Sequence, residues 1–188
     1  MNYLELIGAF FGLTGVWLTV KENKWCFLIG IINVLITAYL VFNLKLYADT
    51  LQQLAYFVLL ISGWINWSKN KRETPLKISV LSSREQLQMT TFFVIGFVLL
   101  YSLLKNYTDA ALPFWDSAGT ALCFVAQYLV AKKKIENWYL WIAANVLYVI
   151  IYYVKGMEYY SILSAIYFIQ AIAGLLQWRK KFRSGLSL

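Results

Sequence analysis

The chain has no histidine, two prolines and two cysteines among 188 residues. Without histidine it lacks the commonest general base, metal ligand and near-neutral proton relay. Cys26 and Cys123 both fall inside apolar runs and show no metal or redox spacing, so they read as small packing residues and imply no cofactor. Pro75 and Pro113 lie outside helix centres, which leaves no evident hinge. Charge is scarce as well. Charged residues make up 14% of the chain and hydrophobic residues 61%, with a mean hydropathy of +0.60, whereas a globular chain is about 25% charged and about 45–50% apolar. A soluble core fits this composition poorly, and the membrane class follows. No Walker-type loop is present, so direct ATP hydrolysis is not expected. No basic flank or small-residue cleavage site accompanies the first apolar run, which reads as a span and not as a signal peptide.

A helix needs about 20 mostly apolar residues to cross a bilayer. That rule predicts an all-α integral membrane protein with seven spans, near Tyr3–Val20, Trp25–Phe42, Tyr47–Trp67, Gln88–Leu104, Trp115–Ala131, Trp138–Val154 and Tyr159–Trp178. The net charge of +8 sits almost entirely between these runs, so it reads as a topology signal and not as a nucleic-acid surface. Fourteen Lys and Arg fall after spans one, three, five and seven: Lys21, Lys24, Lys69, Lys71, Arg72, Lys77, Arg84, Lys132, Lys133, Lys134, Arg179, Lys180, Lys181 and Arg183. Only Lys45, Lys105 and Lys155 fall on the other side. This bias places the C-terminus in the cytoplasm and the N-terminus outside.

The two halves echo each other. Asn33-Val34-Leu35 aligns with Asn145-Val146-Leu147, and Tyr47 then falls on Tyr159. With one residue's slip, Gly63 and Trp67 fall on Gly174 and Trp178. Two three-span repeats joined directly would be inverted, whereas one linker span between them makes them parallel. The expected plan is therefore 3+1+3: residues 1–67 as the first repeat, 68–112 as a cytoplasmic loop with a linker helix, and 113–188 as the second repeat with a basic tail. Parallel-repeat transporters bind substrate near the midplane at the repeat interface.

Polar residues at helical spacing mark faces turned away from lipid. On span six, Trp138, Trp141, Asn145, Tyr148 and Tyr152 form one stripe. Span three carries Gln53, Tyr56, Trp64 and Trp67; span five carries Asp116, Thr120, Cys123 and Gln127; and span two adds Asn33 and Thr37. Trp138 and Trp67 lie near span ends, where anchoring at the membrane interface is an alternative reading. Asn145, Asn33 and Gln53 have a second reading as interhelical hydrogen-bond glue, and Gly8, Gly12 and Gly15 as close helix packing. No charged residue falls in the middle of any span, which favours facilitated diffusion over ion-coupled pumping. An uncharged pocket of aromatic faces and amides suits a flat, polar ligand, neutral or cationic. Two other classes stay open: a membrane enzyme using Asp116, and a ligand-free structural subunit.

The segments PFWDS (Pro113–Ser117), ENWYLWIAANV (Glu136–Val146), LYADTLQQ (Leu46–Gln53) and GWINW (Gly63–Trp67) resemble the PnuC-type vitamin transporters. The resemblance spans nearly the whole chain. It implies a homotrimer of seven-span protomers related to the SWEET sugar transporters, and uniport of an unphosphorylated vitamin that a cytoplasmic kinase traps by phosphorylation. It assigns substrate contacts to Trp141, Asn145, Gln53, Trp64 and Trp67, and Gln177 stands where some relatives carry asparagine. Relatives of this fold are assigned to nicotinamide riboside, thiamine, riboflavin or deoxynucleosides. Nicotinamide riboside is the first expectation and thiamine the second, both being cationic aromatics.

Overall fold

The computed structural model describes residues 3–43, 47–68 and 76–185. They form seven helices: α1 (Tyr3–Val20), α2 (Trp25–Asn43), α3 (Tyr47–Ser68), α4 (Ser83–Tyr107), α5 (Pro113–Ala131), α6 (Asn137–Val154) and α7 (Glu158–Arg183). Lys45, Leu46, Lys69, Lys71, Arg72 and Pro75 lie outside the described residues, as does the side chain of Tyr47.

The helices follow the apolar runs except where capping and charge extend them. α4 begins at Ser83, ahead of its apolar stretch, because a capping box starts it. The Ser82 hydroxyl accepts from the Glu85 backbone N–H at 3.3 Å, and the Glu85 carboxylate accepts from the Ser82 N–H at 2.8 Å. α7 continues past Trp178 through Lys180, Lys181 and Arg183, whose charges oppose the negative end of its dipole.

Five helices, α1, α2, α4, α6 and α7, are long and apolar enough to cross a membrane. The other two, α3 and α5, carry the polar stripes. α5 is also the most enclosed, burying ten residues from Ser117 to Ala131. Packing explains this. α1 touches α2, α2 touches α3, α3 touches α5, α5 touches α6, α6 touches α7, and α7 returns to α1, closing a ring of six helices. α4 stands outside the ring against α5 and buries no residue of its own.

At one end of the ring lie the α1–α2 and α5–α6 turns and the C-terminus of α7, which we call the basic end. Each turn passes through one non-glycine residue in the left-handed region, Glu22 at φ 55° and Lys133 at φ 51°, an uncommon conformation for such residues. The α3–α4 connection is tied to this end. Ser79 donates its N–H to the Lys133 carbonyl and accepts the Ile135 N–H, and Lys134 pairs with Glu85 at 2.9 Å.

Two aromatic–glycine contacts seal the ring just inside the basic end. Gly63 leaves room for the Phe27 ring, and Gly174 leaves room for the Trp138 ring. Phe27 meets Trp67 edge-on at 4.9 Å, Trp138 meets Trp178 edge-on at 5.3 Å, and Trp67 and Trp178 lie 6.1 Å apart.

Candidate functional site

Above that aromatic floor the ring encloses a cavity of about 260 Å³, lined from α1, α2, α3, α5, α6 and α7. Five of the ten residues expected at the site reach it: Asn33, Gln53, Gln127, Trp141 and Asn145. Each sits on a helix whose other faces are apolar, so the inward stripe is where the polar atoms gather. The Asn145 amide donates to the Trp141 carbonyl one turn back at 2.8 Å, which fixes the side chain and turns its oxygen outward from that bond as an acceptor. Tyr167 and Asn33 converge beside Gly12, where a Cβ would strike the Tyr167 hydroxyl. Gly12 therefore opens a polar corner. Gly15 fits the packing reading, since its α-carbon faces the α2 backbone near Cys26 and Gly30.

The other five expected residues lie elsewhere. Trp64 is at the basic end, against Trp25 at 5.5 Å and under the Lys24 ammonium at 5.4 Å. Trp67 belongs to the floor, and its indole N–H donates to the Val130 carbonyl at 3.2 Å. Toward the opposite end, Tyr148 packs over Gly119 and stacks on Tyr152 at 5.6 Å, and Thr120 is buried on the same stretch of α5. Asp116 is farther out, where Lys155 donates to both its carboxylate oxygens at 3.1–3.2 Å. That ion pair occupies the only carboxylate considered for chemistry. Gln177 does not line the cavity either.

Interface anchoring is not the role of Trp138 or Trp67. Trp138 is 1% exposed and lines the cavity, and both rings pack in the hydrophobic clusters of the floor. The Cys26 and Cys123 thiols are free and buried, and Cys26 lines the cavity next to Phe27. Among the described residues no cluster of metal-binding side chains occurs.

The lining obeys a constant register. Seven pairs of lining residues share the spacing of Trp67 to Trp178, 111 positions: Val16 and Gln127, Thr19 and Val130, Phe27 and Trp138, Gly30 and Trp141, Val34 and Asn145, Tyr56 and Tyr167, and Leu60 and Ala171. In this register Val34, and not Asn33, takes the place opposite Asn145. The two asparagines both line the cavity but are not equivalent. Tyr167, absent from the expected site, is the counterpart of Tyr56 and was findable by that spacing alone. The cavity is chemically lopsided, however. α5 and α6 present Gln127, Trp138, Trp141 and Asn145 where α1 and α2 present Val16, Phe27, Gly30 and Val34. The second-half wall carries two indoles and two amides at these positions, while the first-half wall carries apolar or small side chains there, with Asn33 as the amide of α2.

Among the described residues no charged side chain lines this cavity. Such a site binds through ring faces, amides and phenol groups, so it suits a neutral polar or delocalised cationic ring and disfavours a phosphate, whose charge would be buried unpaired.

Residues 2–180 match the family described as nicotinamide mononucleotide transporter. The chain is 29% identical to the nicotinamide riboside transporter PnuC of Escherichia coli strain K12, over 95% of this chain and 85% of that protein. It is 22% identical to the riboflavin/roseoflavin transporter RibM of Streptomyces davaonensis, over 93% and 83%. The crystal structure of the vitamin B3 transporter PnuC superposes with a TM-score of 0.78 at 26% identity, covering 97% of this chain and 83% of that one.

Proposed function

The chain belongs to the nicotinamide mononucleotide transporter family, a multi-pass membrane transporter and not an enzyme, and on that premise we propose that it carries an unphosphorylated vitamin nucleoside by facilitated diffusion. Nicotinamide riboside is the favoured substrate and thiamine the alternative. The observation that carries this reading is the uncharged, aromatic and amide-lined cavity inside the six-helix ring. Its volume falls between the ~150 Å³ that holds benzene and the ~300–1,000 Å³ of drug-sized sites. That size favours a compact ligand of two small rings, such as an aromatic base on one pentose, over a tricyclic flavin with a ribityl chain.

Trp141 is the stacking plate for the ring, and Asn145, Gln53, Asn33 and Gln127 take the hydroxyls. The register of the lining supports a 3+1+3 plan with two parallel repeats, α1–α3 and α5–α7, linked by α4, in a SWEET-like arrangement. In this reading the protein is a seven-span homotrimer of an inner membrane, with the N-terminus outside and the basic end in the cytoplasm. The excess of Lys and Arg at that end supports this heading. Because the cavity holds no carboxylate for ion coupling, the gradient must come from outside the protein. A cytoplasmic kinase that phosphorylates the vitamin supplies it, since the product no longer suits an uncharged cavity.

Calorimetry on the purified protein tests the substrate. Nicotinamide riboside should give a heat of binding that Trp141→Ala and Asn145→Ala each abolish with the oligomer intact. If neither nicotinamide riboside nor thiamine binds, the proposal fails; binding of thiamine alone selects the alternative.

A further inference from the structure

The 111-residue register extends below the cavity to its floor, and there it becomes reciprocal. The Trp67 indole of the first half donates to the Val130 carbonyl at the end of α5, at 3.2 Å. Its counterpart Trp178 donates to the Thr19 carbonyl at the end of α1, at 3.3 Å. Thr19 and Val130 are themselves a pair in the same register. The two left-handed turn residues, Glu22 and Lys133, are another, and they meet as an ion pair at 3.6 Å. Lys181 of α7 joins the same carboxylate at 2.8 Å, and Glu22 keeps only 3% of its side chain exposed. The Lys133 ammonium also lies 4.7 Å over the Trp67 ring. Every one of these contacts joins one half of the ring to the other, and together they cover the floor beneath Phe27 and Trp138.

We propose that this assembly is a latch for the basic end: the Glu22 carboxylate, clamped by Lys133 and Lys181 across the seam between the halves, holds Trp67 against Trp178 and keeps the cavity shut on that side. A buried carboxylate between two ammonium groups is stable only while the halves touch. Separating them exposes all three charges to water, where they are fully solvated, so the pair discriminates between closed and open arrangements. The left-handed turns matter because they bring two loop residues of opposite charge onto the line where the halves meet. Lys133 and Lys181 both belong to the second half and Glu22 to the first, so removing the carboxylate deletes both ion pairs that cross the seam, which favours separation.

The latch rests on the transport reading, since opening at this end serves release of a substrate, but its test needs no substrate. In the Cys123→Ala background, Cys26 is the only thiol, buried at the cavity wall beside the floor. Its rate of labelling by a membrane-impermeant maleimide is measured from each face of oriented membrane vesicles. Glu22→Gln should raise the rate about tenfold or more from the face carrying the C-terminus and leave the other face unchanged. Lys133→Met, which removes the ammonium but keeps a side chain of similar length, should act in the same direction. Unchanged labelling in both variants, or an equal rise from both faces, would overturn the latch. Uptake by the parent protein in the same vesicles judges the transport reading separately.

Discussion

Trp138 and Trp141 stand three positions apart on α6 and serve different purposes. Both line the cavity, but Trp138 is also wedged over Gly174, with its indole N–H lacking an acceptor among the described residues. A buried donor left unpaired costs about 1–3 kcal/mol, while a made hydrogen bond contributes about 0.5–1.5. Trp138→Phe, which installs the ring already present at the equivalent Phe27, should therefore leave the melting temperature of the detergent-solubilised protein unchanged or higher. Trp67→Phe, which loses the bond to Val130, should lower it. The stripe was legible from spacing. Which member is also wedged against a neighbour was not, because that depends on Gly174, on a different helix. Asp116 illustrates the same limit: its periodicity matched the stripe, but its partner Lys155 sits 39 residues away. Asp116→Asn should retain substantial uptake in vesicles; complete loss would assign it a role in the pathway.

At the scale of the helix, depth along the axis decided what periodicity left open. The α5 stripe runs from Asp116 to Gln127, but the cavity lies toward the basic end, so only Gln127 reaches it. Helix existence and order were legible throughout, since apolar runs of about 20 residues have few other solutions. The start of α4 was not, because a hydrogen-bonded cap and not hydropathy sets it. Ser82→Ala should cost about 0.5–2 kcal/mol locally, read as faster hydrogen exchange in the first turn of α4 with the ring helices unaffected. Close packing makes a sharper claim at Gly63. Gly63→Ala drives a methyl into the Phe27 ring, and overpacking costs about 1–3 kcal/mol. Melting should drop accordingly and recover when Phe27→Leu is added; a lack of recovery would mean that the helices, and not the ring, cannot move.

For the whole molecule, the reading predicts that vesicles loaded with a nicotinamide riboside kinase and ATP accumulate phosphorylated product, while vesicles lacking the kinase only equilibrate. Accumulation without kinase would show coupling to another gradient. The spacing that the lining keeps was partly legible, in Gly63 with Gly174 and Trp67 with Trp178, which lie 111 residues apart. The pairing of Asn33 with Asn145 implied a spacing one residue longer, whereas the cavity residues Tyr56 with Tyr167 and Leu60 with Ala171 keep the 111-residue spacing. That register carries one more consequence. A cavity with true twofold symmetry would accept a lopsided molecule equally well in either of two poses related by half a turn. Here the residues paired by the 111-residue spacing are unlike, Trp141 with Gly30 and Asn145 with Val34. The degeneracy is broken, and a molecule with a ring at one end and hydroxyls at the other has a single preferred heading as it passes through.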